Sequence, residues 1–137
     1  MKQIFARILC FIPGLIFLTQ AYSWVTNPSE ASDGLGMLYL DGVGRSTQIG
    51  DFSAFFIGVS IFCLLGSIFK NTSFLFSAVI ILGSAAIMRI VAWQVYNADF
   101  ATTFIIVELI TTIMILASIV LFKKKENVIE NVETADD

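Results

Sequence analysis

Arg89 and Glu108 are charged residues that stand inside long apolar runs. A guanidinium offers paired donors to a planar anion, and a carboxylate can accept hydrogen bonds or carry a proton. Either charge costs at least ~2.5 kcal/mol at the centre of a bilayer, so such residues pair with each other or line a pathway or pocket. Arg89 lies two turns before Tyr96, where its run ends. That is roughly 10 Å deep at ~1.5 Å per residue. Glu108 lies about as far into the following run. Opposite charges at equal depth on antiparallel neighbours should meet. Asp51, at the head of an earlier run, is placed to reach the same site, as are Arg45 and Gln48 from the segment before it. Helical spacing puts Ala85, Arg89, Ala92, Trp93 and Tyr96 on one face. Thr111 and Thr112 fall one turn below Glu108. Trp93, Tyr96, Thr111 and Thr112 are therefore expected lining residues of an outward-facing polar pocket. The plainer reading is a buried ion pair that sets the register of two helices.

Little else in the chain points to chemistry. It has no histidine, the usual general base and metal ligand. Cys10 and Cys63 lie in apolar stretches without CxxC spacing, where a thiol stays protonated and inert. Ser60, Ser67 and Ser84 are read as packing residues. No nucleophile has a neighbouring base, and no phosphate loop or metal cluster is present in the sequence. No enzyme, no cofactor and no metal is expected. No basic patch has the size of a nucleic-acid site.

The elements that hold these residues follow from composition. Of 137 residues, 57% are hydrophobic and 14% charged, against about a quarter charged in soluble domains. A helix needs roughly 20 apolar residues to cross a bilayer. Four stretches qualify, at about 4–22, 52–69, 74–96 and 100–122. None alternates with a period of two, so a barrel is excluded and helix remains. The expected fold is an all-α, integral membrane four-helix bundle over residues 1–122. Lys2, Arg7, Lys70, Lys123, Lys124 and Lys125 flank one side of the four spans. Glu30, Asp33, Asp41, Asp51 and Asp99 flank the other, with Arg45 the only base there. The positive-inside rule then places both termini in the cytoplasm. Trp24, Trp93 and the three tyrosines fall near the outer face, as interfacial anchors do. A competing feature is Thr19-Gln20-Ala21 after an apolar core, which resembles a signal-peptide cleavage site.

Short links around Asn71 and Ala98 make spans two, three and four a meander, to which the outer segment 23–50 ties span one. A structureless loop that long is uncommon. Part of it is expected to fold over the mouth of the bundle or lie in the interface. Gly50, Ala54 and Gly58, with Gly83 in span three, are small residues suited to close helix approach. An intrachain contact is the first expectation and a homodimer face the second. Pro13-Gly14 should kink span one. The acidic tail, 123–137, reads as disordered.

The run Gly44-Arg45-Ser46-Thr47-Gln48-Ile49-Gly50-Asp51-Phe52, then Ala54-Phe55-Phe56, together with Met88-Arg89-Ile90 and Glu108, resembles a bacterial family of small four-helix inner-membrane proteins of unknown function. That family is similar to DoxX-like proteins in size and helix count, which is fold-level analogy. The resemblance covers residues 4–122 and implies a fold and a multi-pass inner-membrane location, but no activity. The functional expectation is a pocket that binds a small anionic or lipid-like ligand. A structural or partner-binding subunit of a membrane complex and a small oligomeric transporter are the alternatives. The expected partners are the lipid bilayer and either a second copy or another membrane protein.

Overall fold

The computed structural model describes the backbone of residues 2–133 and the side chains of residues 2–123. Five helices follow in order: α1 (Lys2–Thr26), α2 (Pro28–Gly34), α3 (Gly42–Phe69), α4 (Thr72–Tyr96) and α5 (Thr102–Glu133). No strand occurs among the described residues. The first, third, fourth and fifth helices are long and apolar enough to cross a membrane. At most 39% of any spanning window is buried within the bundle. Side chains such as Ile80, Ile87, Ile113 and Val120 point outward, each more than 60% exposed. An apolar exterior on that scale suits hydrocarbon rather than water.

Helix ends follow local chemistry. The Asn71 side chain accepts from the Ser73 N–H at 2.8 Å and starts α4. Asp41 does the same for Gly42 at the head of α3. Asn97 ends α4 in the left-handed conformation (φ 53°), which Asn tolerates better than most residues. Pro28 opens α2, where its missing N–H is no loss.

The spanning helices pack as a closed ring. α1 lies against α3 and α5, and α4 closes the ring between α3 and α5. Span one, which the sequence ties to the other three only through the segment 23–50, supplies the largest interface, with α3. Antiparallel register is written in four contacts along its length. Ser67 Oγ donates to the Arg7 carbonyl at 3.1 Å, and Ser60 Oγ donates to the Gly14 carbonyl at 2.9 Å. Phe17 then stacks on Phe56, with centroids 6.0 Å apart, and Trp24 on Phe52 at 4.9 Å. Arg7 also donates from Nε and Nη2 to the Ser67 and Ile68 carbonyls, both at 3.0 Å, and so satisfies the end of α3. Ser118 Oγ ties α5 to the Ala6 carbonyl at 2.8 Å. Ser60 and Ser67 are therefore interhelical donors as well as packing residues, and Ser118 is a third. Such bonds contribute roughly 0.6 kcal/mol each inside membranes.

Close approach occurs at other glycines than expected. A Cβ at Gly14 would sit 2.9 Å from Leu64 Cδ2, and one at Gly66 2.6 Å from Leu75 Cγ. Gly50, Gly58 and Gly83 have nothing within 4 Å of that position, and Ala54 is exposed. The Gly50-Ala54-Gly58 stripe faces away from the bundle, so the intrachain reading of these residues is corrected. Trp24 is corrected too. It is wholly buried, not an interfacial anchor, because Phe52 of α3 stacks on it at 4.9 Å and it belongs to one buried cluster with Ala31 of α2.

Segment 23–50 is not a loop. It holds α2 and the first turns of α3, whose 28 residues span ~42 Å at 1.5 Å each, longer than a ~30 Å hydrocarbon core. α5 continues to Glu133, so most of the tail expected to be disordered is helical. Lys and Glu, frequent there, are good helix formers. Residues 134–137 lie outside the described residues.

Candidate functional site

Toward the end of the bundle that carries α2, the four spanning helices line a partly open cavity of about 440 Å³. α1 contributes Ile16, Phe17 and Gln20, and Leu35 closes one side. α3 contributes Asp51, Phe52, Phe55 and Phe56; α4 contributes Ala85 and Arg89. α5 contributes Thr103, Phe104, Val107 and Glu108. The volume lies within the ~300–1,000 Å³ of ordinary ligand sites, which are mostly apolar with a few placed polar groups.

Arg89 and Glu108 meet as their spacing predicted. Arg89 Nε donates to Glu108 Oε1 at 2.9 Å. The guanidinium also lies over the Phe104 ring, 4.9 Å from its centroid. Phe104 sits one turn before Glu108 on α5, so one helix face presents both the counter-ion and the ring. The pair is lopsided. The Arg89 side chain is 33% exposed and the Glu108 side chain 7%. Only Nε of Arg89 is engaged by a hydrogen bond, which leaves its Nη donors free of protein acceptors among the described residues. Glu108 Oε2 is buried and accepts no hydrogen bond there. Unpaired buried polar atoms are rare and call for a reason.

Asp51 lines the same cavity from the third helix but makes no ion pair with Arg89 among the described residues. The other expected lining residues stand elsewhere. Arg45 bonds the Leu40 carbonyl, pairs with Asp41 at 3.1 Å and covers the Tyr39 ring. Gln48 accepts from the Leu40 N–H and donates to the Leu38 carbonyl, both at 3.1 Å, clamping the segment before α3 onto that helix. Trp93 packs edge-on against Phe100, and Tyr96 is 74% exposed. The drift of ~40° per four residues in a 3.6-residue turn carries the Ala85–Arg89 face off the cavity before Trp93. Thr111 Oγ1 is spent on its own helix, donating to the Val107 and Glu108 carbonyls. Thr112 Oγ1 is buried without a partner and does not line the cavity.

Sequence reasoning missed the apolar lining. Phe17, Phe52, Phe55, Phe56 and Phe104 give the cavity five aromatic rings. In a membrane chain an apolar residue is expected on every face, so nothing marks those that turn inward. Gln20 and Thr103 carried a signal, as polar residues near the ends of their spans. No family model, curated protein or solved structure matches the chain.

Proposed function

We propose that this chain is a multi-pass protein of a bacterial inner membrane that binds a lipid-like amphiphile in the cavity around Arg89, Glu108 and Asp51. It acts as a binding protein rather than an enzyme. The observation that carries the reading is a ring-lined cavity with charged groups grouped on its α3, α4 and α5 walls. An amphiphile would lay its apolar body on the phenylalanines and its head on Arg89, Glu108 and Asp51. Both termini are assigned to the cytoplasm, because Lys2, Arg7, Lys70 and Lys123 belong to one end of the helices and the α2 end is acidic. On that assignment the cavity lies toward the outer face. α1 belongs to the mature protein on this reading, since Ala6, Cys10, Phe17, Ala21 and Trp24 are part of the buried core. The resemblance to small four-helix inner-membrane proteins agrees with the same location.

The binding test uses Trp24, which stacks on the cavity-lining Phe52. In a Trp93→Phe background, 12-bromododecanol should quench Trp24 saturably, and Ala85→Trp, which fills the cavity, should abolish binding measured by equilibrium dialysis. Uptake that never saturates, or is unchanged by Ala85→Trp, refutes the proposal. For orientation, Leu38→Cys, at a side chain 86% exposed, should react with an impermeant maleimide in intact cells. Labelling only after lysis reverses the topology.

A second reading is assembly with another helix through Gly50, Ala54 and Gly58, which are open to the outside of the bundle. Gly58→Leu should then shift the oligomeric state; an unchanged state removes this reading.

A further inference from the structure

We infer that the occupant of the cavity is a hydrophobic cation, with a quaternary or protonated amine as its head. This rests on the reading of the cavity as a ligand site and names the charge of what enters it. Asp51 and Glu108 both line the cavity and, among the described residues, Arg89 is the only base that does, so one negative formal charge is in excess there. An anionic head would look to Arg89. That guanidinium keeps free Nη donors among the described residues, but its charge is already balanced by Glu108 Oε1 at 2.9 Å, and it rests on the Phe104 ring, 4.9 Å from the centroid. An anion entering would place a third negative charge beside two carboxylates in a site walled by hydrocarbon, where like charges repel strongly.

A cation meets the opposite conditions. Glu108 Oε2 accepts no hydrogen bond among the described residues, although the side chain is only 7% exposed. That oxygen is therefore an unused acceptor, and the charge in excess is a carboxylate's. Asp51 adds a second carboxylate on the opposite wall. Between them stand the rings, whose faces attract cations most strongly when water is excluded. Phe55 meets Phe56 edge to face, at 82° and 5.1 Å, and Phe52, Phe55 and Phe104 are the partly buried rings of the lining, with surface left to offer a cation. A quaternary ammonium has no N–H to satisfy, and needs only charge and rings. The apolar walls take its chain.

The test compares three probes of equal chain length, decyltrimethylammonium, decanol and decanoate. Binding to the full-length protein in nanodiscs of neutral lipid is followed by equilibrium dialysis. Partition into lipid is subtracted with the cavity-filling Ala85→Trp variant. Decyltrimethylammonium should bind at least about tenfold more tightly than decanol, and decanoate most weakly. Asp51→Asn, at an exposed residue whose loss should leave the fold intact, should remove most of the cation's advantage over decanol; an undiminished advantage overturns the inference. Equal binding of decanol and the cation overturns the charge assignment and leaves the amphiphile reading standing. Tightest binding by decanoate assigns the head to an anion and overturns the inference. Saturable binding by none of the three overturns both.

Discussion

Removing Arg89 should damage the protein more than removing Glu108, although each change breaks the same ion pair. At 2.9 Å and an effective dielectric constant of ~20, the gross attraction is about 6 kcal/mol. Desolvation of both groups offsets most of it. What differs is the group left behind. Arg89→Ala strands a carboxylate whose side chain is 7% exposed and one of whose oxygens has no partner even in the parent. Stranding a buried charge costs about 3–5 kcal/mol. Glu108→Ala strands a guanidinium that is 33% exposed and still rests on Phe104; about 1–3 kcal/mol is expected, as for an unpaired polar group. Replacing both by Met should bring stability back to within about 1 kcal/mol of the parent, as buried pairs exchanged for packed apolar residues often do. The assay is reversible unfolding in mixed micelles, with the two single Ala variants, the double Ala variant and the double Met variant. The coupling energy should exceed ~1 kcal/mol, within the range for residues in contact. Additive single effects, or a larger loss for Glu108→Ala, would refute the reasoning.

Other outcomes follow from packing. Gly66→Val should lower stability by about 1–3 kcal/mol through overpacking against Leu75, whereas Gly83→Ala, at a position with open space around it, should not lower it, as thermal unfolding of the two would show. Ser60→Ala removes the donor to the Gly14 carbonyl and should cost about 0.6 kcal/mol and no more than ~1.7; a larger loss would mean that α1 and α3 shift. Trp24 is fully buried and Trp93 45% exposed, so single-tryptophan variants should show blue-shifted, acrylamide-resistant emission for Trp24 only. Equal quenching would contradict the burial of Trp24.

The features legible in the sequence are those with a steep physical penalty behind them. A run of some twenty apolar residues has few alternatives to a spanning helix, so all four were found. A charge in hydrocarbon needs a partner, and Arg89 found Glu108. The start of α3 was misplaced because Gly42-Val-Gly-Arg is weakly helical by propensity; Asp41 capping Gly42 and the Gln48 clamp hold it. Pro28 with Glu30 in the first turn was a readable start for α2. The small-residue rule failed at Gly50 and Gly58 because spacing gives a face but not what lies opposite it. The neighbours of Gly14 and Gly66, Leu64 and Leu75, are set by register between helices. The serine bonds hid for the same reason, since their acceptors are backbone carbonyls on other helices. The cavity was half visible: its charges stood out, while its five rings did not differ in type from the phenylalanines that face outward.

Arg89 and its partner are separated by 19 positions in the chain, and that interval becomes time during synthesis. At ~5–20 residues per second, Arg89 is made about 1–4 s before Glu108 exists. α4 must therefore be handed toward the bilayer carrying an uncompensated guanidinium. The ring is also still open then, because α5 brings both the counter-charge and the Ser118 donor to Ala6. The last helix thus completes the bundle twice over, in charge and in geometry. A chain truncated before Glu108 and released from the ribosome should remain at the insertion machinery, or in reach of membrane proteases, rather than diffuse away as a finished three-helix intermediate.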